Sequence, residues 1–479
     1  MAVSRYQKEM KWFAMIWATA LLGLLAACND DDSFTVSPSC LLTFSADTVD
    51  VDTVFSNVPS ATRSFWVYNR SGNGLRCTSV RLERGNQSGY RVNVDGTYLG
   101  STNGFQTTDV EIRDGDSIRV FVELTAAVQH QDQPKLVEDN LLFTLESGVV
   151  QKVSLKAHSW DAKVLNGLEI QRDTTIVSPT PILIRGGLHV QEGATLTIGA
   201  GTTLYFHDDA ALTVDGTLRS EGTALQPVVL RGDRIDRMFD YLPYDYVSGQ
   251  WRGIRFTATS YGNLLQYTDI HSAYDGVVAD SADVERMKVE MNCTTVHNCK
   301  GYGLKLDHAK ASLNNCQITN TLADCVWLRG SDVAINHCTI AQFYPFDGNR
   351  GFALRFLKPL PNLLCRNTLL TGYADDVLQG EADESCHFQF EDCIIRTPKV
   401  ETADSVYFTR VEFEDIADTA HVGRRHFLKI DTDNLRYNFA LDSVSTAVGK
   451  ANPFTSIPYD RMGRQRDDQP DIGAFEYLK

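Results

Sequence analysis

Asn315-Cys316-Gln317-Ile318 and His337-Cys338-Thr339-Ile340 decide the fold. Each sets a small thiol two residues before an aliphatic side chain. The pattern returns in Asn292-Cys293-Thr294-Thr295, Arg366-Asn367-Thr368-Leu369 and Asp392-Cys393-Ile394-Ile395, at steps of 23, 22, 29 and 26 residues. A second short run precedes each: Gly276-Val277-Val278-Ala279, Gly303-Leu304-Lys305-Leu306, Cys325-Val326-Trp327-Leu328, Ala353-Leu354-Arg355-Phe356 and Asp376-Val377-Leu378-Gln379. Strands this short do not hold as lone hairpins. Stacked as parallel coils they cover one another, and unequal steps fit a fixed core with variable loops. Alternate strand residues face inward, so Cys293, Cys316, Cys338, Asn367 and Cys393 are expected in one inner column, about 4.8 Å apart. Thr295, Ile318, Ile340, Leu369 and Ile395 are expected in a second. The thiols then read as a reduced packing ladder rather than a disulfide framework.

Working outward, short strands joined by Gly turns begin near residue 161, as in Ala194-Thr195-Leu196-Thr197-Ile198 and Ala211-Leu212-Thr213-Val214-Asp215-Gly216. Residues 40–158 read differently. Ser64-Phe65-Trp66-Val67-Tyr68 and Ile118-Arg119-Val120-Phe121-Val122 alternate apolar and polar residues, and Ser71-Gly72-Asn73-Gly74 and Asp114-Gly115-Asp116 mark turns. The spacing suggests an immunoglobulin-like β-sandwich that serves as a stalk. The expected class is therefore all-β, a sandwich over 40–158 followed by a parallel β-helix over 161–479. An Arg/Asp- and Gly-rich tail, about 445–479, is expected to cap its open end, where strand edges and apolar core would otherwise be exposed.

The chain has 479 residues, with Lys+Arg 45 against Asp+Glu 61 and a net charge of −16. No basic surplus exists to displace counterions, so nucleic acid is not an expected partner. Arg5, Lys8 and Lys11 precede a charge-free apolar run from Trp12 to Leu25. It is too short to span a bilayer and suits a signal peptide over 1–27. Of the 11 cysteines, Cys40 and Cys77 stand apart, and whether they pair stays open. No Cys-x-x-Cys pair or His-Glu-x-x-His motif occurs, so spacing supports no zinc site and no cofactor is expected.

Leu25-Ala26-Ala27-Cys28 resembles a bacterial lipobox, which implies a lipid on Cys28 and an anchor in the outer membrane. Asn29-Asp30-Asp31-Asp32 is similar to the acidic export signal of surface lipoproteins of one Gram-negative phylum. That resemblance implies exposure at the cell surface, with 28–39 as a tether. The repeat resembles right-handed parallel β-helix proteins of the pectate-lyase-like fold over roughly 161–479. Gly249-Gln250-Trp251-Arg252-Gly253 and Asp471-Ile472-Gly473-Ala474-Phe475-Glu476 are similar to segments of such proteins, and the handedness comes from the resemblance and the crossover rule.

A solenoid presents side chains in regular columns, which suits an extended polymer. Reading the second run outward places Val278, Lys305, Trp327, Arg355 and Leu378 on one face. Lys305, Trp327 and Arg355 make a candidate patch for acidic glycan, with indole stacking on a sugar and cations pairing with carboxylate or sulfate. The competing reading is an ordinary solvated face. A second candidate is the aromatic loop 233–251, with Phe239, Tyr241, Tyr244, Tyr246 and Trp251 as a stacking platform or as residues folded back on the sheet. The expected task is noncatalytic: binding polysaccharide or serving an outer-membrane protein complex. The alternative is a polysaccharide lyase or glycosidase, in which Asp375, Asp376, Glu381, Asp383 and Glu384 would hold Ca²⁺ beside Arg355 or Lys305. No lyase signature accompanies these carboxylates. His189, His271, His297, His337 and His387 look scattered and structural.

Overall fold

The computed structural model describes residues 33–131, 133–418, 421 and 423–478. Cys28, the signal segment 1–27 and the acidic run up to Asp32 lie outside them. The protein is nearly all β, and among the described residues no helix is long and apolar enough to cross a membrane. The chain divides into two compact units: Met1–Val51, Pro59–Ala127 and Leu136–Ala157 in one, and Asp52–Val58, Val128–Lys135 and His158–Lys479 in the other.

The first unit is built on two sheets. One orders Leu42–Phe44, Arg63–Asn69, Ser117–Leu124, Tyr90–Val94 and Thr97–Tyr98, all antiparallel. The other contains Leu75–Leu82 paired antiparallel with Lys135–Leu145. Strict alternation drives the packing: Ile118, Val120, Val122 and Leu124 are buried while Arg119 and Phe121 face out. The inner faces meet where the rings of Phe44 and Phe143 lie 5.1 Å apart. Residues 34 and 35, within the expected tether, bond to this unit. The Thr35 N–H donates to the Gly74 carbonyl, and Arg76 covers the Phe34 ring.

The second unit consists of long parallel sheets compatible with a parallel β-helix. Among the described residues one sheet has 18 strands and the other ten. In the larger sheet two stacks run side by side, so that each lap of chain crosses three stacks. One lap runs through Thr295–Cys299, Leu304–Asp307 and Lys310–Asn314 before Gln317–Thr321 returns beside the first strand. The axis is filled by one contiguous apolar core. Close backbone approach sets one glycine: a Cβ on Gly253, at φ +93°, would lie 1.6 Å from the Asp275 carbonyl oxygen.

The register corrects the expected columns. Val296, Ile318, Ile340, Leu370 and Ile395 are the aligned inner aliphatics, and all are fully buried. Thr294, Cys316, Cys338, Thr368 and Cys393 form the inner column before them. Cys293 and Asn367 are instead corner residues, and Thr295 and Leu369 face outward. The cause is a left-handed corner that recurs every lap: Tyr267, Cys293, Asn315, His337, Asn367, Asp392 and Arg410 all have φ between +43° and +54°. Asn, Asp and His tolerate this conformation best, which explains the polar residue before most of the thiols. A column that sets Cys293 and Asn367 beside Cys316 is therefore one residue out of step in those two laps. The ten described cysteines are all free, Cys40 and Cys77 included. The ladder thiols donate back to carbonyls of the preceding lap, Cys316 Sγ to Met291 O at 3.3 Å and Cys393 Sγ to Cys365 O at 3.4 Å.

The tail does not lie where an end cap would. It runs as a strap along the corner column, back across the laps. Asn452 bonds Asn367 and Asp392, Thr455 bonds Asn336 and Asn367, the Tyr459 carbonyl accepts from Asn315, and Arg461 reaches the Cys293 carbonyl. Behind it Phe427, Phe439, Ile472 and Phe475 cover Ala341, Leu369 and Ile394 on the outer face of one stack.

Candidate functional site

Two arrangements on the second unit bring chemistry-bearing side chains together. The first lies on the stack through Val277–Ala279, Leu304–Asp307, Val326–Arg329 and Leu354–Leu357. Register sets Val278, Lys305, Trp327 and Arg355 side by side, as the sequence spacing implies. The next residue is Gln379 rather than Leu378, because Leu378 pairs with the inward Leu354.

Trp327 is not an open platform. It is only 8% exposed, with the Lys305 ammonium 5.2 Å and the Arg329 guanidinium 5.5 Å from its ring and Tyr302 beside it. Arg355 is held by the buried carboxylate of Asp324 at 2.7 Å. The open aromatic is Tyr274, 43% exposed, with Arg252 and Lys300 approaching its ring at 6.0 and 5.9 Å. Tyr302 continues the strip, with the Lys305 ammonium 5.1 Å from its ring. Among the described residues, no carboxylate oxygen forms a salt bridge with Lys300 or Lys305. Asp275 is the acid within the strip, and its Oδ1 accepts the Tyr302 N–H at 2.8 Å. Tyr274 and Lys300 sit in corner loops, where no strand pattern announces them.

The aromatic loop divides. Trp251 is a core residue, 1% exposed, stacked on Phe206 at 4.3 Å and donating its indole N–H to the His271 carbonyl. Tyr244 lies under Arg234, and Tyr246 lies 6.5 Å from Tyr437, so both fold back. Tyr241 stays out, 67% exposed and stacked on Phe239 at the tip of a short hairpin. The carboxylates of the lyase alternative do not converge. Asp375 pairs with Arg396, Asp376 accepts from Thr397, and Glu381 and Asp383 flank Lys358.

The second arrangement is Asp269, His271 and His297, which sequence spacing leaves scattered. Asp269 and His271 are two residues apart on one strand and share its outer face. His297 pairs with His271 on the next lap, and the ring centroids are 4.8 Å apart, one lap. Asp269 Oδ1 meets His271 Nδ1 at 2.8 Å and His297 Nε2 at 3.2 Å. Burial opposes the charge on Asp269, but His297 and the two hydrogen bonds outweigh it and hold the carboxyl well below its ordinary range. Burial also pushes His271 below the ordinary histidine range, against the pull of Asp269. The signal that finds this pair is the lap register itself: Thr268-Asp269-Ile270-His271 lies against Thr294-Thr295-Val296-His297.

No family model matches the chain, and no curated protein matches it. Among solved structures, a family 123 glycoside hydrolase from Clostridium perfringens, studied for glycolipid glycan hydrolysis, is 4% identical with a TM-score of 0.17. That match covers 25% of this chain and 25% of the hydrolase, so the chain spans a quarter of its length. The ASH/PapD-like domain 7 of human CEP192 is 9% identical over 27% of this chain and 96% of its own, with a TM-score of 0.17. The catalytic unit of a GH87 α-1,3-glucanase from Streptomyces thermodiastaticus is 8% identical over 74% of this chain and 90% of its own, with a TM-score of 0.15. At such TM-scores none of the three carries fold or function across.

Proposed function

We propose that the chain is a lipid-anchored protein of the outer-membrane surface that binds acidic glycan without cleaving it. In this reading Cys28 carries the lipid, an immunoglobulin-like domain forms the stalk, and a right-handed parallel β-helix presents the binding face. The supporting observation is the strip Tyr274–Lys300–Tyr302–Lys305–Trp327, in which, among the described residues, neither lysine is salt-bridged to a carboxylate and Asp275 is the acid nearby, on a chain of net charge −16. On a chain of net negative charge, ammonium groups without a salt bridge beside an open aromatic ring supply local attraction for an anionic polymer. Tyr274, rather than Trp327, offers the stacking face. The lyase reading has less to draw on, since Asp324 neutralises Arg355 and the carboxylates are already spread among Lys358, Arg396 and Thr397.

The test is affinity electrophoresis of the whole chain in gels containing uronate or sulfated polysaccharide. Retardation is expected, with at least tenfold weaker binding for Lys305→Ala combined with Tyr274→Ala, and no rise in unsaturated-product absorbance. Unchanged affinity in the double variant overturns the assignment of the face. Product formation overturns the noncatalytic reading. Absence of retardation together with co-purification of an outer-membrane barrel favours the scaffold role.

A further inference from the structure

Asp269, His271 and His297 belong to a wider grid. Thr295 pairs with Asp269 across the laps, as His297 pairs with His271, so four outward side chains stand as two rows of two. Two buried polar atoms in this grid have no hydrogen-bond partner: His271 Nε2, on a residue 7% exposed, and Thr295 Oγ1, on a residue 3% exposed. Each costs free energy while it stays unsatisfied, and the two stand diagonally across the grid, whereas His271 meets the carboxylate through its other nitrogen, Nδ1. The carboxylate and the two imidazoles are ligand types for a borderline transition ion. One ligand atom from each of Asp269, His271 and His297 lies within 4.8 Å of the others. A tetrahedral ion bonded at about 2.1 Å holds its ligands about 3.4 Å apart. The contacts of 2.8 and 3.2 Å, through His271 Nδ1 and His297 Nε2, need a small opening to reach that spacing, and the two imidazole nitrogens lie within 4.8 Å of each other.

We propose that Asp269, His271 and His297 bind one divalent first-row transition ion of the zinc type, with Thr295 beside it and a position left for solvent. Access is retained, because the side chains of Asp269 and His297 are 32% and 24% exposed. Two guanidinium groups share the site's field, Arg231 and Arg461. Arg231 is paired with the Asp245 carboxylate, so the ion, the Asp269 carboxylate and Arg461 leave the local charge positive, and the open position favours an anion such as hydroxide or a carboxylate. The flanking backbone is fixed: Ser272 Oγ and Asn298 Nδ2, one residue beyond each histidine, both donate to the Asp245 carbonyl at 3.0 Å. The site is independent of the glycan-binding face.

Chelator-treated whole chain titrated with cobalt(II) is expected to bind one equivalent and to show the intense visible bands of a four-coordinate site, with zinc displacing it. His297→Ala, at a partly exposed position, and Asp269→Asn should each weaken cobalt binding at least a hundredfold. His189→Ala should leave it unchanged, since His189 is held by Glu169 and Asp215 on another stack. A wild-type chain that binds no cobalt, or binding that survives both His297→Ala and Asp269→Asn, overturns the proposal. Should His297→Ala fail to fold, cobalt binding by the wild-type chain and by His297→Gln decides the matter on the same criteria.

Discussion

Acidification should loosen the strap through one buried imidazole. His337 is fully buried in the corner column, with Nε2 2.9 Å from Ser456 Oγ and Nδ1 3.4 Å from the Gly473 carbonyl. Burial, with the nearby Arg466 guanidinium, depresses its pKa to about 3. An unfolded histidine titrates near 6.5, so from that pH downward the unfolded chain binds a proton that the folded chain refuses. The native advantage is fully present above about 6.5 and is lost as pH falls towards about 3. Each pH unit in that window costs about 1.4 kcal/mol, so moving from pH 7.5 to pH 4 should cost about 3 kcal/mol through this residue alone.

His337→Asn isolates the effect. Asparagine already occupies the equivalent corner in neighbouring laps, at Asn315 and Asn367, with φ of +52° and +45°, and it does not titrate. Other groups titrate alike in both chains. Urea unfolding followed by tryptophan fluorescence at pH 7.5, 6, 5 and 4 should show the wild type losing about 3 kcal/mol more than the variant by pH 4. Parallel pH profiles for the two chains would refute a neutral, buried His337.

Two further outcomes follow from the packing. Trp251→Ala removes a ring stacked on Phe206 and the donor to the His271 carbonyl, and should cost about 3–5 kcal/mol in urea unfolding; a loss under 1 kcal/mol would contradict its place in the core. Burial pushes the thiols of Cys77 and Cys325 up to about 12, so maleimide should label native protein at Cys40 and Cys293 first and reach the other described cysteines only on unfolding. Reductant should leave the melting temperature unchanged, and fast native labelling of Cys316 or Cys338 would contradict the ladder.

The parallel stacking was legible because its cause is local: three- to five-residue strands have no other way to cover their apolar sides. The exact register was not, because two residue types compete for the same place in the eye. Cysteine marks the inner position in three laps, yet threonine fills it at Thr294 and Thr368, and cysteine itself stands at the corner at 293. The backbone conformation, not side-chain identity, is what recurs. The same slip hid the histidine pair, since Thr295 was set inward when it shares the outer face with His297. The strap was invisible for another reason: its bonds join residues such as Asn315 and Tyr459, 144 positions apart, and no periodicity connects them.

The strap and the residues behind it also take one outer face away from solvent. They cover the outer side of one stack through Ala341, Leu369 and Ile394. On the ten-stranded sheet the outward charges answer one another: Lys310 with Asp332 at 2.9 Å, Arg366 with Glu391 at 2.7 Å, and Arg219 with Glu221 at 2.8 Å. Such pairs are worth little to stability and offer an incoming anion little free charge, while Lys288 on the same sheet is fully buried, donates to the Thr257 carbonyl and lies with Arg286 against Tyr261. The third stack carries Lys300 and Lys305 beside the rings of Tyr274 and Tyr302, and Tyr274 is 43% exposed. What separates the two cation–aromatic clusters is exposure, since Lys288 is fully buried and Tyr274 is open, and that is why the proposed glycan-binding reading rests on the third stack while the Asp269 cluster, on the strap-bearing stack, offers carboxylate and imidazole groups instead.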